Sequence, residues 1–380
     1  MNEAPLNDGE FAASVMAVPP LARRADYSLD PAQNRALIRH IEAGGVRTLL
    51  YGGNANLYHV AVSEYRDLLD LLADAAGPAT RVIPAIGPDY GKMLDQARIL
   101  AQSRYRTAMV LPLGGFTTSD GVEAGLTRIA DTAGMPLTLY LKSEDYLALD
   151  ALTRLVERGT LSAIKYAIAR AEPARDPYLR RLLDCVPAAK VVSGMGERPA
   201  LVHLREFGLA AWTTGSGCIA PRMAMALLRA VQRERGGWSG RDDGGDGHDG
   251  HRSDAGSVGV DGHRGSVGDG GGKGRYRSEN DHDHDHDHDR DHNPDHNLTR
   301  RLYDAFLPLE TLREQISLIR VLHDAVAFAG LAETGPLLPL LSSTPAEHHA
   351  KIAQAAHTLL ALEREFAHTH PNLSDTQTSA

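Results

Sequence analysis

The stretch VPPLARRADYSLDP, residues 18–31, follows the first apolar run of the chain and leads into the first helical pattern. A doubly wound sheet built to bind a dinucleotide needs glycines at this turn, because the backbone must come close to a pyrophosphate. None of the fourteen residues is a glycine. Asp30-Pro31 instead reads as an ordinary helix start: a capping carboxylate, then the residue whose fixed φ and missing N–H suit the first helical position. Outward from this stretch, short apolar runs alternate with amphipathic ones. Strands are expected at 12–18, 48–51, 81–86, 107–111, 137–141, 163–166, 190–193 and 210–214. Helices are expected at 31–42, 63–75, 93–103, 121–132, 147–157, 177–183, 199–207 and 221–234. Ser63 and Ser119, each ahead of an acidic residue, read as further helix starts. Eight strands alternating with eight helices predict a (β/α)8 barrel over residues 11–235, with the doubly wound sheet as its rival.

The pattern stops where the composition changes. Residues 236–297 hold 16 of the 37 glycines and 9 of the 18 histidines, and their seven basic and fifteen acidic residues give them a formal charge of −8 out of −9. The other 318 of the 380 residues are nearly neutral, at −1. A segment this poor in apolar side chains cannot offset the entropy of ordering itself, so a disordered low-complexity insert is expected at 236–297. Beyond it, 298–330 and 345–366 read as helices joined by ETGPLLPLLSST, forming a helical region at 298–368 that packs on the barrel.

The near-neutral body has no basic stripe for nucleic acid. No apolar run approaches the roughly 20 residues that span a bilayer, and the polar, acidic start MNEAPLNDGE is unlike a signal peptide. The expectation is a cytoplasmic protein that binds neither nucleic acid nor membrane. Cys185 and Cys218 are too few for a disulfide framework or a thiolate metal site and read as packing residues. The tract DHDHDHDHD would put imidazoles and carboxylates on opposite sides of an extended chain and could hold zinc or nickel loosely. A solvated low-complexity tract is the simpler reading, and no metal site is expected.

In an α/β barrel the reactive groups lie at the C-terminal ends of the strands. The sixth strand reads LSAIKYA and puts Lys165 inside an apolar run. Desolvation there favours the neutral amine, a nucleophile toward ketones and aldehydes, although a lysine whose stem packs and whose head reaches water fits the same position. Tyr140 closes MPLTLY one strand earlier and reads either as a proton relay or as an amphipathic packing residue. After the second strand, Gly52-Gly53-Asn54-Ala55-Asn56 combines close backbone approach with amide side chains able to bind a carboxylate or hydroxyl; a plain βα turn is the alternative.

Taken in order, these pieces resemble the dihydrodipicolinate synthase and N-acetylneuraminate lyase family, class I aldolases on a (β/α)8 barrel. The resemblance runs from about residue 13 to 235 and resumes in the C-terminal helices. It implies a carboxylate-binding loop at residues 52–56, a strand-five tyrosine at Tyr140 and, 25 positions later, an imine-forming lysine at Lys165. SGMGERPALVHL is similar to the family's strand-seven turn and helix, with Ser193 and Gly194 in place, and AAWTTGSGCIAP resembles its glycine-containing strand-eight segment. The substrate-binding set implied is Gly52, Gly53, Asn54, Asn56, Ser193 and Gly194.

The sequence also departs from the family. Gly53 and Asn54 stand where the family places hydroxyls. Leu113 and Gly114 occupy the place of the synthase's second relay tyrosine, for which Tyr90, after strand three, is a positional substitute. Asp145 falls near the arginine that holds the synthase's second substrate, and an acid there repels an anionic aldehyde. The expected function is therefore a lyase or aldolase, or a related synthase or dehydratase, acting on a 2-keto acid through Lys165 and Tyr140. It would need no metal or organic cofactor, would be unlike a true dihydrodipicolinate synthase, and by the resemblance would form a homo-oligomer, dimer or tetramer. Two readings compete with it: a non-catalytic barrel that binds a metabolite or partner protein, and a metal-handling protein centred on the insert.

Overall fold

A computed structural model describes residues 1–7, 9–238 and 294–371. The barrel is built from β1 (Met16–Ala17), α1 (Pro31–Ala43), β2 (Thr48–Tyr51), α2 (Val62–Ala75), β3 (Arg81–Ile86), α3 (Tyr90–Leu100), β4 (Ala108–Val110) and α4 (Ser119–Ala133). It continues with β5 (Leu137–Leu141), α5 (Leu149–Glu157), β6 (Leu161–Tyr166), α6 (Pro177–Cys185), β7 (Val191–Ser193), α7 (Ala200–Glu206), β8 (Ala211–Thr214) and α8 (Pro221–Trp238). All neighbouring strands pair in parallel, and β1 closes on β8 with Met16 opposite Thr213. The strands are almost wholly buried because helices cover the wall outside and side chains fill it inside. Closure removes any edge strand, and it sends every strand's C-terminal end to one mouth.

The Asp30 carboxylate accepts the amides of Ala32 and Gln33, so α1 starts as its sequence indicates. Two other starts differ. Ser63 is the second residue of α2, which has no side-chain cap. At α4 it is Thr118 that accepts the Gly121 amide, while the Ser119 hydroxyl accepts the amide of Ala148 and ties α4 to the loop before α5. The first strand is also shorter than its apolar run, because Glu10–Ala13 coils into a single 3-10 turn. Cys218 is buried, but Cys185 at the end of α6 is exposed and fills no core position.

Three helices follow: α9 (Pro294–Gln315), α10 (Leu318–Phe328) and α11 (Ala346–Thr369). The continuous pattern expected at 298–330 breaks at Ser317, whose extended backbone starts a new helix and whose hydroxyl accepts the Arg320 amide. Of the insert expected at 236–297, residues 239–293 lie outside the described residues, and with them the His-Asp tract; α8 and α9 extend into its two ends. α9 packs along α8 and α11, and Phe306 is fully buried there. The carboxylate of Glu363 on α11 accepts the amides of Arg222 and Met223, capping the first turn of α8 from another element. The segment between α10 and α11 crosses the mouth beside β1 and β2. There the Arg23 amide donates to the Thr334 carbonyl at 2.9 Å, and the Asn56 side-chain amide donates to the Leu338 carbonyl at 3.4 Å. Among the described residues no helix is long and apolar enough to cross a membrane.

If α9 is an integral part of the barrel's packing, Phe306→Ala leaves a cavity beneath α9 and costs about 3–5 kcal/mol. Urea unfolding monitored by circular dichroism tests this; a loss below about 1 kcal/mol would show α9 to be only loosely attached.

Candidate active site

Along a strand, successive side chains face opposite sides of the sheet. On β6, Tyr166 faces the helices: it stacks on Tyr178 of α6 and its hydroxyl donates to the Asp176 carboxylate. Lys165 therefore faces the lumen. It is 8% exposed, and its neighbour in the β5–β6 register is Tyr140. The ammonium nitrogen lies 3.8 Å from the centroid of the Tyr140 ring. Burial, with the positive charges of Lys142 and Arg313 adding to it, lowers the amine's pKa to about 7. A large fraction of Lys165 is then the free base at neutral pH. Burial raises the Tyr140 phenol while the charge of Lys142 opposes the rise, so the phenol remains protonated at neutral pH. Among the described residues its hydroxyl has no hydrogen-bond partner.

Gly194 makes room for this lysine. A Cβ at this position would lie 2.8 Å from Lys165 Cγ and 2.8 Å from the Tyr166 carbonyl, so only glycine lets the stem pass. Ser193, next to it, is turned away: its hydroxyl shares a 2.8 Å hydrogen bond with Nδ1 of His203 on α7, on the opposite side of the wall from Lys165. Burial lowers the His203 pKa to about 4, so this pair is neutral.

The loop after β2 is a tight turn in which the Asn56 amide donates to the Gly53 carbonyl and the Leu57 amide to that of Gly52. Asn56 takes the left-handed conformation at φ 57°, and its side chain is committed to the segment crossing the mouth. Gly52 lies where a side chain would strike Met109. Among the described residues the backbone amides of Gly53, Asn54 and Ala55 have no partner, and the Asn54 side chain also makes no hydrogen bond. Tyr90 is placed elsewhere. It opens α3, is 43% exposed, and lines a surface cavity of about 690 Å³ with Pro88, Leu113, Phe116 and Tyr146, to which neither Lys165 nor Tyr140 contributes.

Sequence reasoning missed the acid and the cation that α9 brings to this mouth, Glu310 and Arg313, and the second acid that meets them from the loop after β7, Glu197. Glu310 accepts the Ser216 hydroxyl and the Arg313 guanidinium, the latter at 2.5 Å. Glu197, fully buried, accepts the Thr214 hydroxyl. Burial and the neighbouring Glu310 push the Glu197 carboxyl well above the usual range. Gly196 and Gly215 lie against Glu310 and Arg313 with no room for a side chain. Lys142 was also overlooked, although it stands two positions after Tyr140 and so on the same side of the chain. Among the described residues no three His, Cys, Asp or Glu side chains are grouped to hold a metal ion.

No family model matches the sequence, and no curated protein matches it. Solved structures do. A dihydrodipicolinate synthase from Bacillus clausii aligns with a TM-score of 0.66 at 16% identity, covering 94% of this chain and 99% of that one. The sialic acid aldolase of Ruminococcus gnavus aligns at 0.67 and 10% identity over 94% and 99%. A prophage protein of the dihydrodipicolinic acid synthase family from E. coli K12, solved in complex with pyruvate, aligns at 0.65 and 15% identity over 91% and 98%. At these identities the likeness establishes the fold.

The burial of Lys165 predicts a pH-dependent stability cost. With the folded-state pKa lowered from 10.5 to about 7, the unfolded chain binds more protons between those values, so stability rises with pH through that window and the full penalty applies below it. Lys165→Met should therefore stabilise the protein by roughly 3–5 kcal/mol at pH 6–7, with the gain shrinking toward pH 10. Denaturant midpoints of both proteins across pH 6–10 measure this; a constant difference would show that the amine is not desolvated.

Proposed function

We propose that this protein is a Schiff-base-forming lyase of the class I aldolase type acting on a 2-keto acid, and that it belongs with the dihydrodipicolinate synthase and N-acetylneuraminate lyase family. The observation that carries this reading is the Lys165 amine, buried in the lumen and 3.8 Å from the Tyr140 ring with its pKa lowered to about 7. A desolvated amine near neutrality combines a useful free-base fraction with nucleophilicity. The order of the supporting parts along the chain and the shared fold support it further.

The neutral amine of Lys165 adds to the keto carbon, and the carbinolamine loses water to leave a protonated imine. As the C4 hydroxyl gives up its proton and becomes the carbonyl of a departing aldehyde, the C3–C4 bond breaks and its electron pair passes into the imine, giving an enamine; protonation at C3 and addition of water release the shortened keto acid and restore the amine. The reverse sequence forms the bond. Tyr140, with its hydroxyl unpartnered and its ring against the amine, moves the proton between the leaving group and solvent. The free amides of Gly53, Asn54 and Ala55 would hold the keto acid's carboxylate, with the Asn54 side chain beside them. Gly194 admits the lysine stem, while Ser193 and Asn56 act through the structure around the site. Burial, with Lys142 and Arg313 adding to it, disfavours the protonated form of Lys165 and so favours the nucleophilic amine.

Borohydride reduction in the presence of a panel of 2-keto acids should add the mass of one reduced imine, mapped to the peptide containing Lys165 and absent in Lys165→Ala. Tyr140→Phe should still be trapped but lose about 10²–10⁴-fold in turnover, the usual contribution of a general acid–base group. A panel giving no Lys165-dependent adduct would leave a non-catalytic, ligand-binding barrel as the better account.

A further inference from the structure

We infer that Lys142 is a specificity-determining anion anchor at the barrel mouth, so that the substrate is a 2-keto acid with a second anionic group, carboxylate or phosphate, at the end away from its keto carbon. The inference rests on the reading of Lys165 as the imine-forming residue and goes beyond it to the substrate's charge.

Tyr140 faces the lumen, Leu141 is fully buried against the helices, and Lys142 returns to the Tyr140 side one residue past the end of β5. Its nitrogen lies 5.7 Å from the centroid of the same ring that Lys165 approaches to 3.8 Å. Two ammonium groups thus share one phenol. Lys142 is exposed and, among the described residues, has no ion pair or hydrogen bond.

The nearby charges are otherwise committed. Arg170 holds both Glu144 and Asp176, and Glu310 holds Arg313. Asp145, the acid expected from the sequence to repel an anionic aldehyde, is exposed and makes no ion pair with Lys142; it is the Lys142 ammonium, not this carboxylate, that approaches the Tyr140 ring, and its charge offsets that repulsion. A cation without a counter-ion beside a second amine raises the energy of the empty site, and an anion delivered by a ligand relieves this.

The direction of the ligand follows from the strand order. The unpartnered amides of residues 53–55 lie beyond β2, on the side of the barrel away from Lys142, which extends β5 next to the β6 of Lys165. A keto acid whose own carboxylate takes those amides presents its far end to Lys142. The four-carbon stem lets the ammonium follow ligands of different length, as a point charge without the planar geometry an arginine would impose.

Calorimetry with glutarate, a dianion without a ketone, tests the anchor independently of imine formation. Lys142→Gln should weaken glutarate about tenfold and Lys142→Arg should restore most of the affinity; methyl phosphate with the same variants shows whether phosphate is accepted as well. In borohydride trapping, the rate ratio of 2-oxoglutarate to 2-oxobutanoate should fall about tenfold in Lys142→Gln. Glutarate affinity equal in wild type and Lys142→Gln, or undetectable in both, overturns the inference. Lys142-dependent glutarate binding without any keto-acid adduct keeps the anchor and removes the imine mechanism, so the two failures are distinguishable.

Discussion

The structure turns on one desolvated amine. A lysine closed inside a barrel loses the hydration of its charge, and the protein supplies no carboxylate to replace it. What surrounds the Lys165 head is the face of a phenol, which attracts a cation weakly, and two further cations, which oppose its protonation. A fold selected only for stability has no use for this arrangement. It is retained at a cost to the folded state, and sites of chemistry are where such costs are commonly kept.

The rest of the mouth is organised around this amine. Gly194 is small because the lysine stem passes over it, and β7 turns its serine outward to a histidine, leaving the lumen side clear. The C-terminal helices are part of the same construction. α9 drives an ion pair, Arg313 with Glu310, against glycines at the ends of β7 and β8, and α11 supplies the carboxylate that caps α8. The barrel's closing helix is held by residues more than a hundred positions away in sequence, and one side of the mouth is walled by residues outside the eight repeats.

Much of the architecture was legible because its signals are local. Strands buried on both faces read as apolar runs, helices as amphipathic ones, and Asp30-Pro31 as a start; on that basis six of the eight strands end at the expected residue, and six of the eight barrel helices lie within two residues of their expected bounds. Where structure and local signal differ, the surroundings of the residue outweigh the signal. Ser119 was spent on Ala148 rather than on its own helix, Ser317 divided what hydrophobic pattern had joined, and Cys185 fell on the outer face of α6. The position of Tyr90 after β3 points to the mouth, yet the residue begins α3 and lines a separate cavity.

The sequence by itself determined that eight β/α units are present, that the glycine-free turn after the first strand suits a barrel, and that a lysine and a tyrosine occupy adjacent strands. It also determined that the charge of −9 resides almost entirely in residues 236–297 and says little about the barrel's ligands. Only the tertiary structure decided which polar groups meet. The pairing of Tyr140 with Lys165 follows from strand register, the unpartnered charge of Lys142 from what its neighbours had already bound, and the Glu197–Glu310–Arg313 cluster from the docking of α9. Local pattern reports the face a residue turns to the core. Charge, desolvation and hydrogen-bond partnership depend on groups that converge from distant elements, and those are fixed only when the barrel closes.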